Sequence, residues 1–364
     1  MRRLGNIVSR LTAASRAMQA ANSNDDGRLG HLTGFGSNPG ELDARTYEPT
    51  EPPIALVVVL HGCTQTASAY DKGSGWSQLA ERQGFAVLFP QQRRANNPNL
   101  CFNWFLPSDA RRERGEAASI AQMVKHVAGQ HGLDRSRIFI TGLSAGGAMT
   151  SVMLACYPEL FAGGAVIAGL PFASANTLPE ALERMRGQGA PRRELADRAR
   201  AAADHGGRIP TLSVWHGTHD TIVDRSNATA IVDQWRDLHG LGANGGTVEP
   251  ADGHRREVWA DAEGRVIIER YDIQGMGHGT PLDTGDSGSF GIAGPHMLDA
   301  GICSTRRIAS FWGLAANASV KRDIPRTGDH LETKPAPLHP LPPSRAGGPG
   351  AVIEDALRAA GLMR

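Results

Sequence analysis

The chain has 364 residues, of which 40% are hydrophobic and 21% charged, and its formal net charge is +1. This composition supports a large buried core, and the near-neutral charge argues against a nucleic-acid partner. No apolar run approaches the roughly 20 residues that a membrane-spanning helix needs, so the sequence predicts no transmembrane segment.

Residues 1–45 are predicted to form an N-terminal amphipathic helix and a leader rich in Gly, Asn and Asp. Arginines open the chain, but polar residues interrupt the continuous apolar stretch that a signal peptide needs, so a cytoplasmic location is expected. The helix could pack on the body of the protein, or it could associate weakly with a granule or membrane surface.

Strand-like and helix-like segments alternate through residues 46–314, which we take as one large domain. The strand-like segments are near-continuous apolar runs, which are typical of a buried parallel sheet. The alternation predicts an α/β fold with a doubly wound, mostly parallel sheet and helices on both faces. Strands are predicted at 54–62, 85–90 (ended by Pro90), 137–142, 162–171 and 210–217, and a hairpin is predicted at 254–275.

Three further segments stand apart by composition. Residues 171–208 are rich in Ala and Arg and are predicted to be a lid or insert of one or two helices over the sheet. Residues 315–349 form a Pro-rich flexible linker. Residues 350–364 are predicted to be a short amphipathic helix that docks on the body or attaches the protein to a partner or particle.

The stretch TGLSAGG places Ser144 between an apolar run and a helix. A G-x-S-x-G sequence in this setting is a nucleophile-elbow pattern. Side chains at Gly142 and Gly146 would collide with the neighbouring strand and helix, while the helix N-terminus offers N–H groups to an oxyanion. Ser144 is therefore predicted to be a nucleophile, and the alternative is a tight turn that only requires glycine.

A serine nucleophile needs a base and an acid, which in this pattern follow it in the order acid, then histidine. His278 lies in a glycine-rich loop after the last predicted strand and is the expected base, with His296 as its rival. Asp220 follows the strand 210–217 and should emerge beside the elbow. Asp224 is the competing acid, although it could instead cap the next helix.

The oxyanion of the tetrahedral intermediate needs two N–H donors. One should be the N–H of Ala145, which follows the nucleophile. The other should come from the loop after the first strand, where Cys63 is the first candidate and Thr64 the second.

The cysteines are too few and too scattered for a disulfide scaffold, and no Cys/His cluster suggests zinc. The serine mechanism predicted above requires no metal or organic cofactor. Cys63 and Cys101 lie in loops expected near the active site. They could form a disulfide, or they could remain free thiols in a reducing compartment. Trp104, in the same stretch as Cys101, is predicted to face the substrate.

Several motifs in order give the chain a resemblance to a known family. LHGCTQTA, NPNLCFNWF, IFITGLSAGGAM, WHGTHDTIV and GMGHGTP closely resemble the polyhydroxybutyrate (PHB) depolymerase family of esterases, which is itself similar to feruloyl and acetylxylan esterases. The similarity covers roughly residues 50–314. It implies an α/β-hydrolase fold, a Ser–Asp–His triad at Ser144, Asp220 and His278, and an oxyanion donor at Cys63.

The expected function is hydrolysis of carboxylic esters through an acyl-enzyme on Ser144, with no cofactor. Short-chain hydroxyalkanoate esters or oligomers are the expected substrates. One alternative keeps the triad and acts on feruloyl or acetylxylan esters. A second alternative is a non-catalytic binding protein built on a hydrolase scaffold. Many members of the PHB depolymerase family are secreted, whereas the N-terminal sequence of this chain favours a cytoplasmic location.

Overall fold

The computed structural model describes residues 28–189, 192–203, 207–242, 245–285 and 289–315. The predicted N-terminal helix, the linker beyond Ala315 and the predicted helix 350–364 lie outside these ranges. Within them, no helix is long and apolar enough to cross a membrane.

Within the described residues, ten strands form one sheet. Their order is β1-β2-β4-β3-β5-β6-β7-β10-β9-β8, with β4, β3, β5, β6, β7 and β10 parallel. The strands are β1 Gly30–His31, β2 Asp43–Tyr47, β3 Leu56–Leu60, β4 Ala86–Gln91, β5 Ile138–Leu143, β6 Gly163–Ile167, β7 Thr211–Gly217, β8 Thr247–Ala251, β9 His254–Ala260 and β10 Val266–Ile273. Two short strands, β11 Thr280–Leu282 and β12 Met297–Asp299, pair with each other separately.

Helices cover both faces of this sheet. They are α1 Ala67–Ser74, α2 Trp76–Gln83, α3 Gly115–His131, α4 Ala145–Cys156, α5 Leu178–Met185, α6 Arg192–Ala202, α7 Ser226–Leu238 and α8 Ser304–Phe311. Helices α3, α4 and α7 share a hydrophobic core with Val58 and Ile140, whereas α1, α2 and α8 share another with Val57 and Phe139. Because successive strand residues point to opposite faces, apolar runs such as LVVVL supply both cores. The doubly wound α/β prediction is confirmed.

Strand β2 was not predicted, and it begins within the segment interpreted as a leader. It pairs antiparallel with β4, and this pairing continues through Pro90, which lies opposite Ala44. The prediction that Pro90 ends the strand was therefore wrong. Strand β3 pairs with β4 only as far as Leu88, so at the proline β4 has only β2 as a partner.

The segment 171–208 contains two helices, α5 and α6, as the sequence allowed. Gln234 of α7 holds this insert against the body. Its side-chain amide donates to the carbonyl oxygens of Phe172 at 3.0 Å and Leu195 at 2.8 Å, and its oxygen accepts from the Phe172 N–H at 3.1 Å. All three residues are buried, so these hydrogen bonds satisfy polar groups that water cannot reach.

Candidate active site

Ser144 occupies a strained backbone conformation between β5 and α4. Its φ is 57° and its ψ −118°, a combination that residues with a side chain rarely adopt. The Ser144 N–H donates to the carbonyl oxygen of Ile167 at 2.9 Å, which ties the turn to the adjacent strand β6. Strain of this kind persists only where the surrounding structure enforces it, and it is concentrated at functional sites.

The two glycines beside the serine are required by close backbone contacts. A Cβ at Gly142 would lie 2.5 Å from the carbonyl carbon of Gly146, in the first turn of α4. A Cβ at Gly146 would lie 2.4 Å from the carbonyl oxygens of Leu60 and His61, at the end of β3. The predicted collisions with helix and strand are confirmed, and they explain how α4 begins so close to the sheet.

Asp220 and His278 form a short hydrogen bond. The distance from His278 Nδ1 to Asp220 Oδ2 is 2.7 Å, and the exposed fractions of the two side chains are 5% and 0%. Burial alone would raise the pKa of Asp220, but hydrogen bonds from His216 and His278 outweigh it and hold that pKa well below its usual value. The ionised carboxylate can only accept, so in the neutral imidazole His278 Nδ1 carries the proton and Nε2 is an acceptor.

The two rival residues have other contacts. Asp224 accepts the Ser226 N–H at 2.8 Å at the start of α7, which is the capping role considered for it. His296 Nδ1 lies 3.1 Å from the carbonyl oxygen of His278, and the two imidazole rings meet edge to face at 5.8 Å. His296 therefore supports the loop that carries His278.

His216 is a further residue at this site that the sequence did not single out. Its Nε2 lies 2.8 Å from the Val223 carbonyl oxygen and 3.3 Å from Asp220 Oδ2, and its side chain is 1% exposed. A carbonyl only accepts, so Nε2 carries a proton and points into the loop that holds Asp220. The N–H groups of Ile222 and Val223 also donate to Asp220 Oδ1, both at 2.9 Å. Asp220 is thus held from three sides.

Sheet topology brings the serine and the Asp–His pair to the same edge. Strands β5, β6, β7 and β10 are adjacent and parallel, so their carboxyl ends lie together. Ser144 follows β5, Asp220 follows β7 and His278 follows β10. No group of three or more His, Cys, Asp or Glu side chains in the described ranges is arranged to hold a metal ion.

The loop after β3 contains two candidate N–H donors, and only one of them is unoccupied in the described residues. The N–H of Thr64 donates to the Asn99 carbonyl oxygen at 2.7 Å and is therefore occupied. The N–H groups of Cys63 and Ala145 have no hydrogen-bond acceptor within the described residues. Of the two candidates in this loop, Cys63 is thus the one whose N–H is unoccupied, and its role as an oxyanion donor stays a prediction.

A disulfide joins Cys63 to Cys101, so the structure has the bonded alternative rather than two free thiols. A buried network holds the Cys101 side of this link. Gln92 Nε2 donates to the Cys101 carbonyl oxygen at 3.0 Å and to Glu116 Oε1 at 2.5 Å, and Glu116 Oε2 accepts the Asn103 N–H at 2.8 Å. The network therefore connects the start of α3 to the candidate oxyanion loop. A lone glutamate in an alanine-rich helix carries no sequence signal for this role.

Trp104, which was predicted to face the substrate, is 7% exposed. Its ring packs edge to face against Phe105 at 5.4 Å, and the residue also lines a surface groove. Trp76 and Trp215 are buried in the core, where they stack on Trp312 and Tyr271. A contact between Trp104 and substrate remains a prediction.

The pH dependence of stability should reveal the buried Glu116 carboxyl. Burial raises its pKa from the ordinary 4.5 to about 8, against the opposing effect of its N–H donors. A raised folded-state pKa means that the folded chain binds more protons than the unfolded chain between these values. Stability from this group is therefore fully present below pH 4.5 and is lost as pH rises through about 8. The slope is at most about 1.4 kcal/mol per pH unit.

As pH rises from 5 to 8, we expect the unfolding free energy of the wild type to fall relative to that of Glu116→Gln, which cannot ionise at this position. Denaturant titrations of both proteins across this range measure the shift. Glu113→Gln is a matched control, because it makes the same change at an exposed carboxyl close to the network in sequence. Parallel pH profiles for the wild type and Glu116→Gln would contradict the prediction.

Comparison with known proteins places the chain among esterases. The model of the family described as esterase PHB depolymerase matches residues 49–260. Poly(3-hydroxyalkanoate) depolymerase C of Paucimonas lemoignei is 41% identical over 310 residues, which cover 84% of this chain and 74% of that protein. An acetylxylan esterase of Coprinopsis cinerea is 33% identical over 266 residues, which cover 70% of each.

Among solved structures, an acetyl xylan esterase from Aspergillus awamori has a TM-score of 0.66 and 24% sequence identity to this chain. The match covers 79% of this chain and 100% of that one. At this identity the likeness concerns the fold alone, and it agrees with the architecture above. The fold is that of the α/β-hydrolases.

Proposed function

Because this chain belongs to the PHB depolymerase family of esterases and is a carboxylic ester hydrolase, we propose that it cleaves short-chain hydroxyalkanoate esters or oligomers through a Ser144–His278–Asp220 triad. The observation that carries the triad is the 2.7 Å hydrogen bond between His278 and an ionised, fully buried Asp220. It lies at the sheet edge where the strained Ser144 turn also emerges.

In the acylation step, Ser144 Oγ attacks the ester carbonyl carbon while His278 Nε2 removes its proton. The carbonyl oxygen gains negative charge, which the N–H groups of Cys63 and Ala145 stabilise. The bond from the carbonyl carbon to the alcohol oxygen then breaks, and His278 returns the proton to the leaving alcohol. The acyl group stays on Ser144. Asp220 remains ionised throughout and stabilises the imidazolium.

In the deacylation step, a water molecule takes the place of the alcohol. His278 removes its proton as its oxygen attacks the acyl carbon, and the same two N–H groups receive the second oxyanion. The bond to Ser144 Oγ breaks, His278 protonates the serine, and the hydroxy acid leaves. Each turnover consumes one water and requires no cofactor.

The substrate assignment rests on relatives. The hydroxyalkanoate depolymerase is 41% identical to this chain, and the acetylxylan esterase is 33% identical. Acetyl or feruloyl esters of plant polysaccharide are therefore the second candidate, and the second relative supports the acetyl esters. A non-catalytic binding role does not fit, because the chain belongs to a family of esterases.

Two measurements test the proposal. A fluorophosphonate probe should label one residue, and peptide mapping should identify it as Ser144. Values of kcat/KM should be higher for 3-hydroxybutyrate oligomers than for acetylated xylan or methyl ferulate. A label on another residue would remove the proposed nucleophile, and a preference for the polysaccharide esters would favour the second candidate.

A further inference from the structure

A groove of about 700 Å³ lies between the loop that follows β4 and the helical insert α5–α6. Ser144, Asp220 and His278 do not line it. Helix α4 connects the two places, because it begins at Ala145 beside the serine and ends at Cys156 in the wall of the groove. At a rise of 1.5 Å per residue, the helix spans about 16 Å.

Part of the groove lining is apolar and rigidly held. Trp104, Phe105 and Phe172 line it. The disulfide at Cys101 and the buried Glu116 network hold the loop that carries the first two, and Gln234 holds both the N–H and the carbonyl of Phe172. A concave site with rigid aromatic walls is suited to an apolar ligand without prior rearrangement.

The groove lining also includes four arginines. Arg112 pairs with Glu159 at 2.7 Å, and Arg198 pairs with Glu194 at 3.1 Å. Arg111 and Arg114 are exposed and have no carboxylate within salt-bridge distance among the described residues.

Acidic side chains are missing from the described lining of the groove. Asp109 and Glu113 belong to the same loop but do not line it. Asp109 instead accepts from the Ser108 hydroxyl and from the Glu116 N–H. The groove therefore combines an apolar wall with uncompensated positive charge, which is complementary to an apolar molecule that carries an anionic end.

Oligomers of hydroxy acids have this character. Each is a chain of ester units with one free carboxylate, and every cleavage leaves such a carboxylate on both fragments at neutral pH. The acetyl and feruloyl esters of neutral polysaccharides carry none. In a hydroxy acid oligomer, the carboxylate end lies on the alcohol side of every ester bond. A subsite for this end would therefore hold the leaving group.

We propose that this groove is a subsite for the carboxylate end of hydroxyalkanoate oligomers. Arg111 and Arg114 pair with the carboxylate, and the Trp104–Phe105–Phe172 wall covers the adjoining chain. The proposal rests on the proposed function, because it places the leaving group of that reaction. It predicts that the enzyme prefers an oligomer with a free terminal carboxylate to its methyl ester, although this terminus lies far from the ester bond that is cleaved.

The test compares 3-hydroxybutyrate oligomers of two to six units, as free acids and as methyl esters, with the wild type and with Arg111→Gln/Arg114→Gln. We expect the variant to raise KM for the longer free acids by roughly two- to tenfold, which is the effect of losing exposed ion pairs. The methyl esters should be unaffected, and added salt should reduce the wild-type preference for acids. Arg111→Glu/Arg114→Glu should raise KM for the acids further.

Lys125→Gln/Arg135→Gln is the matched control, because it removes two exposed positive charges that do not line the groove. It should leave the ratio of acid to methyl ester unchanged. An equal ratio in the wild type and the Arg111/Arg114 variants at every length overturns the subsite and leaves the proposed function intact. A wild type that cleaves p-nitrophenyl butyrate but no hydroxybutyrate oligomer overturns the proposed substrate, and this subsite with it.

Discussion

Replacement of Ser144 by Ala is expected to lower kcat for p-nitrophenyl butyrate by about 10⁶-fold, the order seen when a catalytic serine is removed from a triad hydrolase. The reason is that the ester carbonyl loses its nucleophile and no acyl-enzyme can form. The fold should persist, because alanine fits the same turn and Ser144 makes no side-chain cap for α4. Steady-state kinetics, thermal unfolding and fluorophosphonate labelling measure the three consequences.

Ser151→Ala is the control for this change. Ser151 lies buried on the same helix, and its hydroxyl donates to the Gly147 carbonyl oxygen at 3.4 Å. Its removal should cost at most about 1 kcal/mol of stability and leave kcat within a few-fold of the wild type. Turnover by Ser144→Ala within a hundredfold of the wild type would rule out Ser144 as the nucleophile.

The sheet and the elbow could be predicted because both depend on local patterns. Buried parallel strands need apolar residues on both faces, so β3 and β5 are visible as continuous apolar runs. The turn at Ser144 needs glycine on both sides, because α4 begins within van der Waals contact of β3 and β5. Such close backbone contacts require glycine at fixed positions, and these glycines can be recognised in the sequence.

Edge strands have a weaker sequence pattern. Strand β2 has the sequence DARTY, in which only Ala44 and Thr46 are buried, so it resembles a polar loop. Strand β8 contains a proline and is mostly exposed. Strands of this kind exist because a neighbouring strand offers free backbone groups, which is a property of the assembled sheet and not of the segment itself.

Support for the candidate site also comes from residues that are distant in sequence. Glu116 is linked to the candidate oxyanion loop through Gln92 and the disulfide, and His216 contacts Asp220 because a loop folds back on β7. The groove needs the loop after β4 and the insert α5–α6 to lie on the same side of the sheet. Neither segment has a periodicity that specifies its position, so the shape of the groove could not be predicted from the sequence.

Replacement of Asp220 by Asn is expected to lower kcat by about 10⁴-fold while leaving the fold intact. The Asn oxygen can still accept the Ile222 and Val223 N–H groups, but its NH₂ group would then donate to His278 Nδ1. That donation forces the proton of the neutral imidazole onto Nε2, the atom that must accept the serine proton. The substitution also removes the charge that stabilises the imidazolium.

Asp224→Asn is the matched control: it makes the same change at a carboxylate that caps α7, so kcat should stay within a few-fold of the wild type. Kinetics with p-nitrophenyl butyrate decide the outcome, and a larger loss in Asp224→Asn than in Asp220→Asn would reverse the assignment of the acid.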